Sequence, residues 1–104
     1  MGYKKIGSLS DVPAGTAKVY KVCDRDIAVC NVDGELYAID DICTHDGGSL
    51  DQGCLEKFEI ECPRHGARFD VRSGEVTERP AVLPVDTFSV RLSGNDIEVE
   101  IQAS

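Results

Sequence analysis

The stretch from Phe58 to Asp70 has the sequence FEIECPRHGARFD and combines two patterns that decide how the chain folds. As far as Cys62, apolar residues alternate with glutamates, which predicts a β-strand with one buried face. A second strand is expected from Ala67 to the end of the stretch. The loop between the two strands contains Cys62 and His65, and Pro63 is expected to stiffen it because its ring fixes the backbone.

Short strands broken by turn residues also account for most of the remaining chain. Ile27 to Val32 is apolar on both faces, which predicts a central strand. Asp33-Gly34 predicts a tight hairpin into a partner strand at Glu35 to Asp40, because glycine accepts a positive φ. No segment has a sustained helical period, so the predicted fold class is all-β, a stack of small antiparallel sheets. Further strands are expected at Lys4–Ile6, Thr16–Cys23 (before a turn at Asp24-Arg25), Glu75–Val76, Phe88–Leu92 and Ile97–Ile101.

The composition indicates one soluble globular domain. The 104 residues suit a single domain, 1–104, and are enough to bury a core without disulfides. Apolar residues make up 41% and charged residues 29% of the chain, as in globular proteins. No stretch is long and apolar enough to span a membrane, and the first residues lack the apolar region of a signal peptide. We therefore expect a cytoplasmic protein, and nothing requires more than a monomer.

The formal net charge of −8 limits the classes of partner. A chain with this charge has no basic face with which to neutralise phosphates, so a nucleic-acid partner is not expected. The same argument excludes an anionic membrane surface. An acidic surface suits electrostatic steering toward a basic docking patch, but it also simply keeps small proteins soluble. Both interpretations remain open at this point.

The chain has five cysteines, an odd number, and no sign of a secreted protein. Metal ligation or buried thiols therefore explain them better than a disulfide framework. Cys23 and Cys30 fall within predicted strands and are expected to be buried. Cys54 lies in a predicted loop, where packing is favoured over a role as an oxidisable thiol.

Two segments each pair one cysteine with one histidine: Cys43-Thr44-His45-Asp46-Gly47-Gly48 and Cys62-Pro63-Arg64-His65-Gly66. They fall in regions that lack a strand pattern, 42–55 and 63–66. The 16 residues between them (46 to 61) are enough for one strand out and one strand back, so the two loops could meet at one end of a sheet. Thiolate and imidazole together suit zinc, iron or an iron–sulfur cluster. A structural zinc site is the weaker alternative, because zinc favours Cys-x2–4-Cys and His-x3–5-His pairs.

The two segments together resemble the Rieske iron–sulfur domain. The similarity extends over nearly the whole chain and includes Phe69-Asp70-Val71, Ser73-Gly74 and Pro80-Ala81, the last of which in this family belongs to a loop that shields the cluster. The resemblance implies one [2Fe–2S] cluster and a cluster-binding part of about 41–84. It also implies the ligands: Cys43 and Cys62 on the inner iron, His45 and His65 on the outer iron.

Departures from the high-potential members of this family indicate the subclass. Gly48 and Arg64 stand where Rieske subunits of respiratory complexes carry two disulfide-forming cysteines. Ala67 and Phe69 stand where those subunits carry a serine and a tyrosine that donate to sulfur. The loss of these donors destabilises the reduced, more negative cluster and lowers its potential. The sequence is therefore similar to the low-potential Rieske ferredoxins.

Such ferredoxins carry single electrons from a flavin-dependent reductase to the terminal oxygenase of ring-hydroxylating dioxygenases and are not enzymes themselves. Other hypotheses are the small Rieske-like subunit of an assimilatory nitrite reductase, a carrier for another oxygenase system or for iron–sulfur assembly, and a zinc-stabilised interaction module. Four charged residues should lie near the cluster end, as candidates for partner recognition or as solvated loop charges: Asp46, Arg64, Glu78 and Arg79.

Overall fold

A computed structural model of the chain describes residues 2–42, 50, 53–63, 66–79 and 83–100. These residues form antiparallel strands and one short 3-10 turn at Leu9–Asp11. No helix in the described ranges is long and apolar enough to cross a membrane. The strands are β1 (Tyr3–Ser8), β2 (Ala17–Val22), β3 (Arg25–Val32), β4 (Glu35–Asp40), β5 (Cys54–Glu56), β6 (Glu59–Glu61), β7 (Arg68–Asp70), β8 (Val76–Glu78), β9 (Thr87–Ser93) and β10 (Asp96–Glu100).

The larger sheet has six strands in the order β1-β10-β9-β4-β3-β2. Its two edge strands approach each other, because the ring of Tyr20 on β2 lies against Gly7 on β1, where any side chain would overlap it. The sheet is thereby curled into a nearly closed barrel. The apolar side chains that fill it are Val12, Val22, Ile27, Val29, Ala38, Ile97 and Val99. The predicted all-β class is confirmed.

Strand β3 and the hairpin that follows it agree with the sequence prediction. Residues Ile27 to Val32 are all buried, and β3 lies between β2 and β4 in the sheet. Asp33 and Gly34 have φ values of 53° and 95°, both positive, as the tightest hairpin turns require. Cys30 is buried, as expected for an apolar position in this strand.

The turn between β2 and β3 begins one residue earlier than expected. Cys23 and Asp24 form it, with φ values of 51° and 64°, in place of the predicted Asp24-Arg25. Strand β2 ends at Val22 because Val22 pairs with Arg25, which leaves only two residues to reverse the chain. Cys23 is therefore exposed, and its prediction as a buried thiol is wrong.

The smaller sheet has four strands in the order β5-β6-β7-β8 and packs one face on the larger sheet. Phe69 and Ile60 on that face are fully buried, and Leu55 and Val76 are partly buried beside them. Side chains of the larger sheet that join this core include Ala28, Cys30, Val32 and Ile39. The core between the two sheets therefore supports the loops that connect the small strands.

Strand β5 lies inside a segment that was predicted to lack strands, so that prediction is wrong for Cys54 and Leu55. The strand has only three residues, and a period of two cannot be recognised in so short a stretch. It forms because Leu55 pairs with Ile60 in the neighbouring strand and both turn toward the core. Cys54 then points outward and is exposed, which contradicts the expectation that it packs in the interior.

Candidate metal centre

Cys62 is the one predicted ligand among the described residues; Cys43, His45 and His65 lie outside them. Its side chain is fully buried and belongs to the core between the two sheets. It directly follows β6, and its thiol is not in a disulfide. The strand therefore brings a reduced, water-excluded cysteine to the point where the second ligand loop begins.

Two backbone hydrogen bonds fix the ends of this loop. The N–H of Cys62 donates to the carbonyl of Ala67 at 2.7 Å, and the N–H of Gly66 donates to the carbonyl of Cys62 at 3.1 Å. Gly66 has a φ of 77°, in the left-handed region that glycine adopts without strain. The chain can therefore turn back into β7 within a few residues while Cys62 stays in place.

Described residues of the first ligand loop lie against the same end of the small sheet. Leu50 is fully buried in the core that contains Cys62. The N–H of Gly53 donates to the carbonyl of Leu50 at 3.0 Å. A Cβ at Gly53 would overlap the carbonyl oxygen of Glu61, the residue before Cys62. Gly53 therefore allows the end of the first loop to contact the start of the second.

Beyond β8, the chain is anchored to the small sheet just after the Pro80-Ala81 segment, which lies outside the described residues. The N–H of Val85 donates to the carbonyl of Gly74 at 2.9 Å, and the N–H of Gly74 donates to the carbonyl of Asp70 at 2.7 Å. Sequence reasoning did not find the positioning roles of Leu50, Gly53 and Gly74. No local pattern marks them, because each depends on the close approach of distant segments.

The other described thiols differ from Cys62 in burial or in their place in the chain. Burial raises the pKa of Cys30 to about 12, and the nearby Asp41 carboxylate adds to this effect. The Cys30 thiol is therefore protonated at neutral pH and behaves as an apolar core group. Cys23 and Cys54 are exposed. Of the described cysteines, only Cys62 is both buried and at the mouth of a candidate ligand loop.

The residues fit an iron–sulfur cluster by their donor chemistry. The two loops contain two cysteines and two histidines, the residue types that Rieske centres use as ligands. The described thiol of this set, Cys62, lies in apolar surroundings beside the buried side chains of Ala67 and Phe69. When bound, such a cluster supplies reversible one-electron chemistry, and its potential depends on hydrogen bonding and solvent exposure around the sulfurs.

Comparisons with known sequences identify the family of the chain. The family model described as "Rieske [2Fe-2S] domain" matches residues 2–89. The biphenyl 2,3-dioxygenase ferredoxin component of Rhodococcus jostii is 38% identical over 102 residues, covering 98% of this chain and 95% of that protein. The ferredoxin component of the naphthalene 1,2-dioxygenase/salicylate 5-hydroxylase systems of a Ralstonia species is 36% identical over 94 residues, covering 90% of each chain.

Solved structures match the fold over nearly its full length. The ferredoxin of carbazole 1,9a-dioxygenase from Nocardioides aromaticivorans gives a TM-score of 0.93 at 33% identity and covers 98% of this chain and 100% of its own. A chain from a complex of reduced oxygenase and oxidised ferredoxin in carbazole 1,9a-dioxygenase gives a TM-score of 0.87 at 34% identity, covering 93% of this chain and 91% of its own. By sequence, fold and the chemistry of its two loops, the chain belongs to the Rieske [2Fe–2S] domain family.

Proposed function

We propose that this chain is a low-potential electron carrier that passes single electrons from a flavin-dependent reductase to a terminal ring-hydroxylating oxygenase. The observation that carries the proposal is the 38% identity, over nearly the whole chain, to a ferredoxin component of a biphenyl dioxygenase. The carbazole dioxygenase complex supports the oxygenase as partner, because a similar ferredoxin is bound there to its oxygenase. The reductase is included in the proposal because the resemblance to Rieske ferredoxins implies it.

One [2Fe–2S] cluster would be held by Cys43 and Cys62 on the inner iron and by His45 and His65 on the outer iron. The buried position of Cys62 and the contact of Gly53 with Glu61 support this assignment. The proposal includes a single cytoplasmic domain over 1–104, acting as a monomer, with the cluster-binding part at about 41–84. The family match over 2–89 supports that extent.

The ligand assignment is tested by cysteine variants of the purified protein. Cys62→Ser should lose the visible absorption of the cluster and most of its iron and acid-labile sulfide. Cys54→Ser is the matched control, because it removes an exposed thiol that is not one of the proposed ligands. A Cys62→Ser protein with the wild-type spectrum would reject the assignment. A colourless wild-type protein that contains zinc would instead support the structural zinc site.

The carrier role is tested by reconstitution. The holoprotein is mixed with the flavin-dependent reductase and the terminal oxygenase of a naphthalene 1,2-dioxygenase system, whose own ferredoxin is 34% identical to this chain. Product formation that depends on the holoprotein supports the proposal. Holoprotein that the reductase cannot reduce, or that cannot reduce the oxygenase, points to a carrier for another oxygenase system.

The nitrite reductase alternative has weaker support. A structure titled as a putative nitrite reductase small subunit matches with a TM-score of 0.85, but at 17% identity, which shows the common fold alone. The dioxygenase ferredoxins are about twice as similar in sequence, 34–38% identical. Stable co-purification of the chain with a large sirohaem subunit would reverse this preference.

A further inference from the structure

The guanidinium of Arg25 lies between two aspartates at one end of the larger sheet. Its Nη2 atom is 3.4 Å from Oδ2 of Asp40 and 3.1 Å from Oδ2 of Asp86. The same group lies over the ring of Phe88, 5.0 Å from the ring centroid. Arg25 is the first residue of β3, directly after the two-residue turn that follows β2. One cation therefore joins the start of β3 to the end of β4 and to the chain that enters β9.

The three charged residues lie at the end of the barrel from which the chain leaves β4. Each of them is two residues along the chain from a side chain that packs inside the barrel, and these three residues are Ile27, Ala38 and Phe88. Because side chains alternate along a strand, Arg25, Asp40 and Asp86 share that inner face. The side chain of Asp40 is only 22% exposed, so solvent screens its contact with Arg25 less than that of an ordinary surface pair.

The backbone holds Asp40 and Asp86 opposite each other. The N–H of Asp40 donates to the carbonyl of Asp86 at 2.9 Å. This bond continues the register of β4 and β9, in which Ala38 pairs with Phe88. Like charges at directly opposite positions destabilise a sheet. The two carboxylates therefore oppose the backbone contact, and the guanidinium of Arg25 compensates their repulsion.

The first ligand loop leaves the larger sheet at this point. Asp40 is the last residue of β4, and the N–H of Asp41 donates to the carbonyl of Asp26 at 2.9 Å. Cys43, the first proposed cluster ligand, is three residues beyond Asp40 in the chain. Whatever holds the end of β4 in place therefore also fixes the point from which this loop departs.

The other aspartate is connected to the small sheet. Asp86 directly follows Val85, whose N–H donates to the carbonyl of Gly74 in the turn between β7 and β8 at 2.9 Å. The ion pair of Arg25 with Asp86 therefore links the start of the first ligand loop to the sheet that contains the second. Both ligand loops depend on the relative position of these two sheets.

We propose that Arg25 is a positioning residue for the first ligand loop. By neutralising Asp40 and Asp86 together, it keeps the end of β4 closed on the chain that enters β9. The inference rests on the proposed assignment of Cys43 as a ligand and adds a residue outside the ligand motif. Exposed ion pairs typically shift an equilibrium by up to about fivefold, so the expected effect is a local one and not global unfolding.

The first test is amide hydrogen exchange of the holoprotein, measured by mass spectrometry on peptides that contain Asp40 and Asp41. Arg25→Gln should make these amides exchange about two- to fivefold faster, because the end of β4 opens more often. Arg91→Gln is the matched control, because Arg91 also contacts one aromatic ring and a carboxylate, that of Glu98, but on β9 and β10. It should leave these amides unchanged. Equal exchange in Arg25→Gln and wild type would overturn the proposal.

The second test measures how fast an iron chelator removes the cluster. Arg25→Gln should lose iron about two- to fivefold faster than wild type, while Arg91→Gln should not. The double variant R25Q/D86N has the net charge of wild type and lacks the opposed carboxylates, so it should regain most of the wild-type rate. A double variant as fast as Arg25→Gln, or an equal effect in Arg91→Gln, would overturn the positioning role.

Neither measurement uses a reductase or an oxygenase. A holoprotein that fails to support the dioxygenase reaction would therefore reject the carrier function and leave both results valid. Faster amide exchange in Arg25→Gln with an unchanged rate of iron loss would instead show that Arg25 holds the end of β4 but does not position the ligand loop, which overturns the inference alone.

Discussion

The backbones of Gly74 and Val85 are in contact, and no space remains between them for a Cβ atom on Gly74. The N–H of Val85 donates to the carbonyl of Gly74 at 2.9 Å, and a side chain at Gly74 would overlap the carbonyl oxygen of Val85. Gly74 also has a φ of 79°, which favours glycine. Two independent constraints therefore act on this residue, one from its backbone conformation and one from its neighbour.

Gly74→Ala is expected to destabilise the protein by more than backbone strain alone. Strain at positive φ costs about 1 kcal/mol, and displacement of Val85 should add about 1–2 kcal/mol. Gly94→Ala is the matched control, because Gly94 has a φ of 62° and no atom within 4 Å of the added Cβ. Urea unfolding of both variants measures the difference. Equal losses of unfolding free energy would show that Val85 moves away without cost.

The hydroxyl of Tyr20 is buried and has no hydrogen-bond partner among the described residues. Burial raises the pKa of Tyr20, and the Asp11 carboxylate adds to the shift, so the phenol stays protonated at neutral pH. Removing an unpaired polar atom relieves a desolvation cost. Tyr20→Phe should therefore leave the unfolding free energy unchanged or raise it by up to about 1 kcal/mol. A clear loss of stability would reveal a bound water or another partner at this hydroxyl.

Asp70 and Arg72 give a prediction about pH. Hydrogen bonds from the Arg72 guanidinium, at 3.1 and 2.8 Å, hold the pKa of Asp70 below its ordinary value of 3.8. Because the folded-state pKa is lowered, the pair stabilises the fold above the unfolded-state pKa, and this contribution disappears as the pH falls through the folded-state value. Arg72→Gln should raise the pKa of Asp70 toward normal, as measured by carboxyl NMR titration. Arg91→Gln, whose partner is Glu98, should leave it unchanged.

The reduction potential should lie near the low end of the Rieske range, about −150 mV. Ala67 is fully buried, and its carbonyl accepts the N–H of Cys62 at 2.7 Å. A hydroxyl introduced by Ala67→Ser would therefore enter a dry site beside Cys62, where a donor stabilises the reduced cluster and raises the potential. An optical redox titration measures the shift.

The control for the potential is Cys54→Ser, which adds a hydroxyl at an exposed position on the outer side of the same sheet. Its potential should equal that of wild type. If Ala67→Ser also left the potential unchanged, hydroxyl donors would not explain the subclass of this protein. A wild-type value near +300 mV, the other end of the range, would lead to the same conclusion.

Much of the fold could be predicted from the sequence because strand alternation and turn residues are local signals. The Asp33-Gly34 turn and the buried strand β3 follow from a few adjacent residues. The exposure of Cys23 could not be predicted in this way, since its β-forming neighbours extend the strand pattern across it. Strand β5 was missed because pairing with β6, a tertiary contact, defines it.

The ligand motif is likewise local, so the candidate site could be proposed from sequence alone. What holds the loops in place could not, because it depends on long-range contacts. Gly53 against Glu61 and Gly74 against Val85 join segments that are distant from each other in the chain. A glycine in a loop usually indicates a turn, and only the three-dimensional structure distinguishes a turn from a close approach of two backbones.

The contact between the Tyr20 ring and Gly7 also limits how copies of this protein can associate. An exposed sheet edge is a template on which another chain can add a strand, and long open edges lead to aggregation. Here the two edges of the larger sheet face each other across the Tyr20 ring and are thereby shielded. In the described part of the chain, the remaining edges are β5 and β8, with three residues each. Edges of three residues offer little template on which another copy could add a strand.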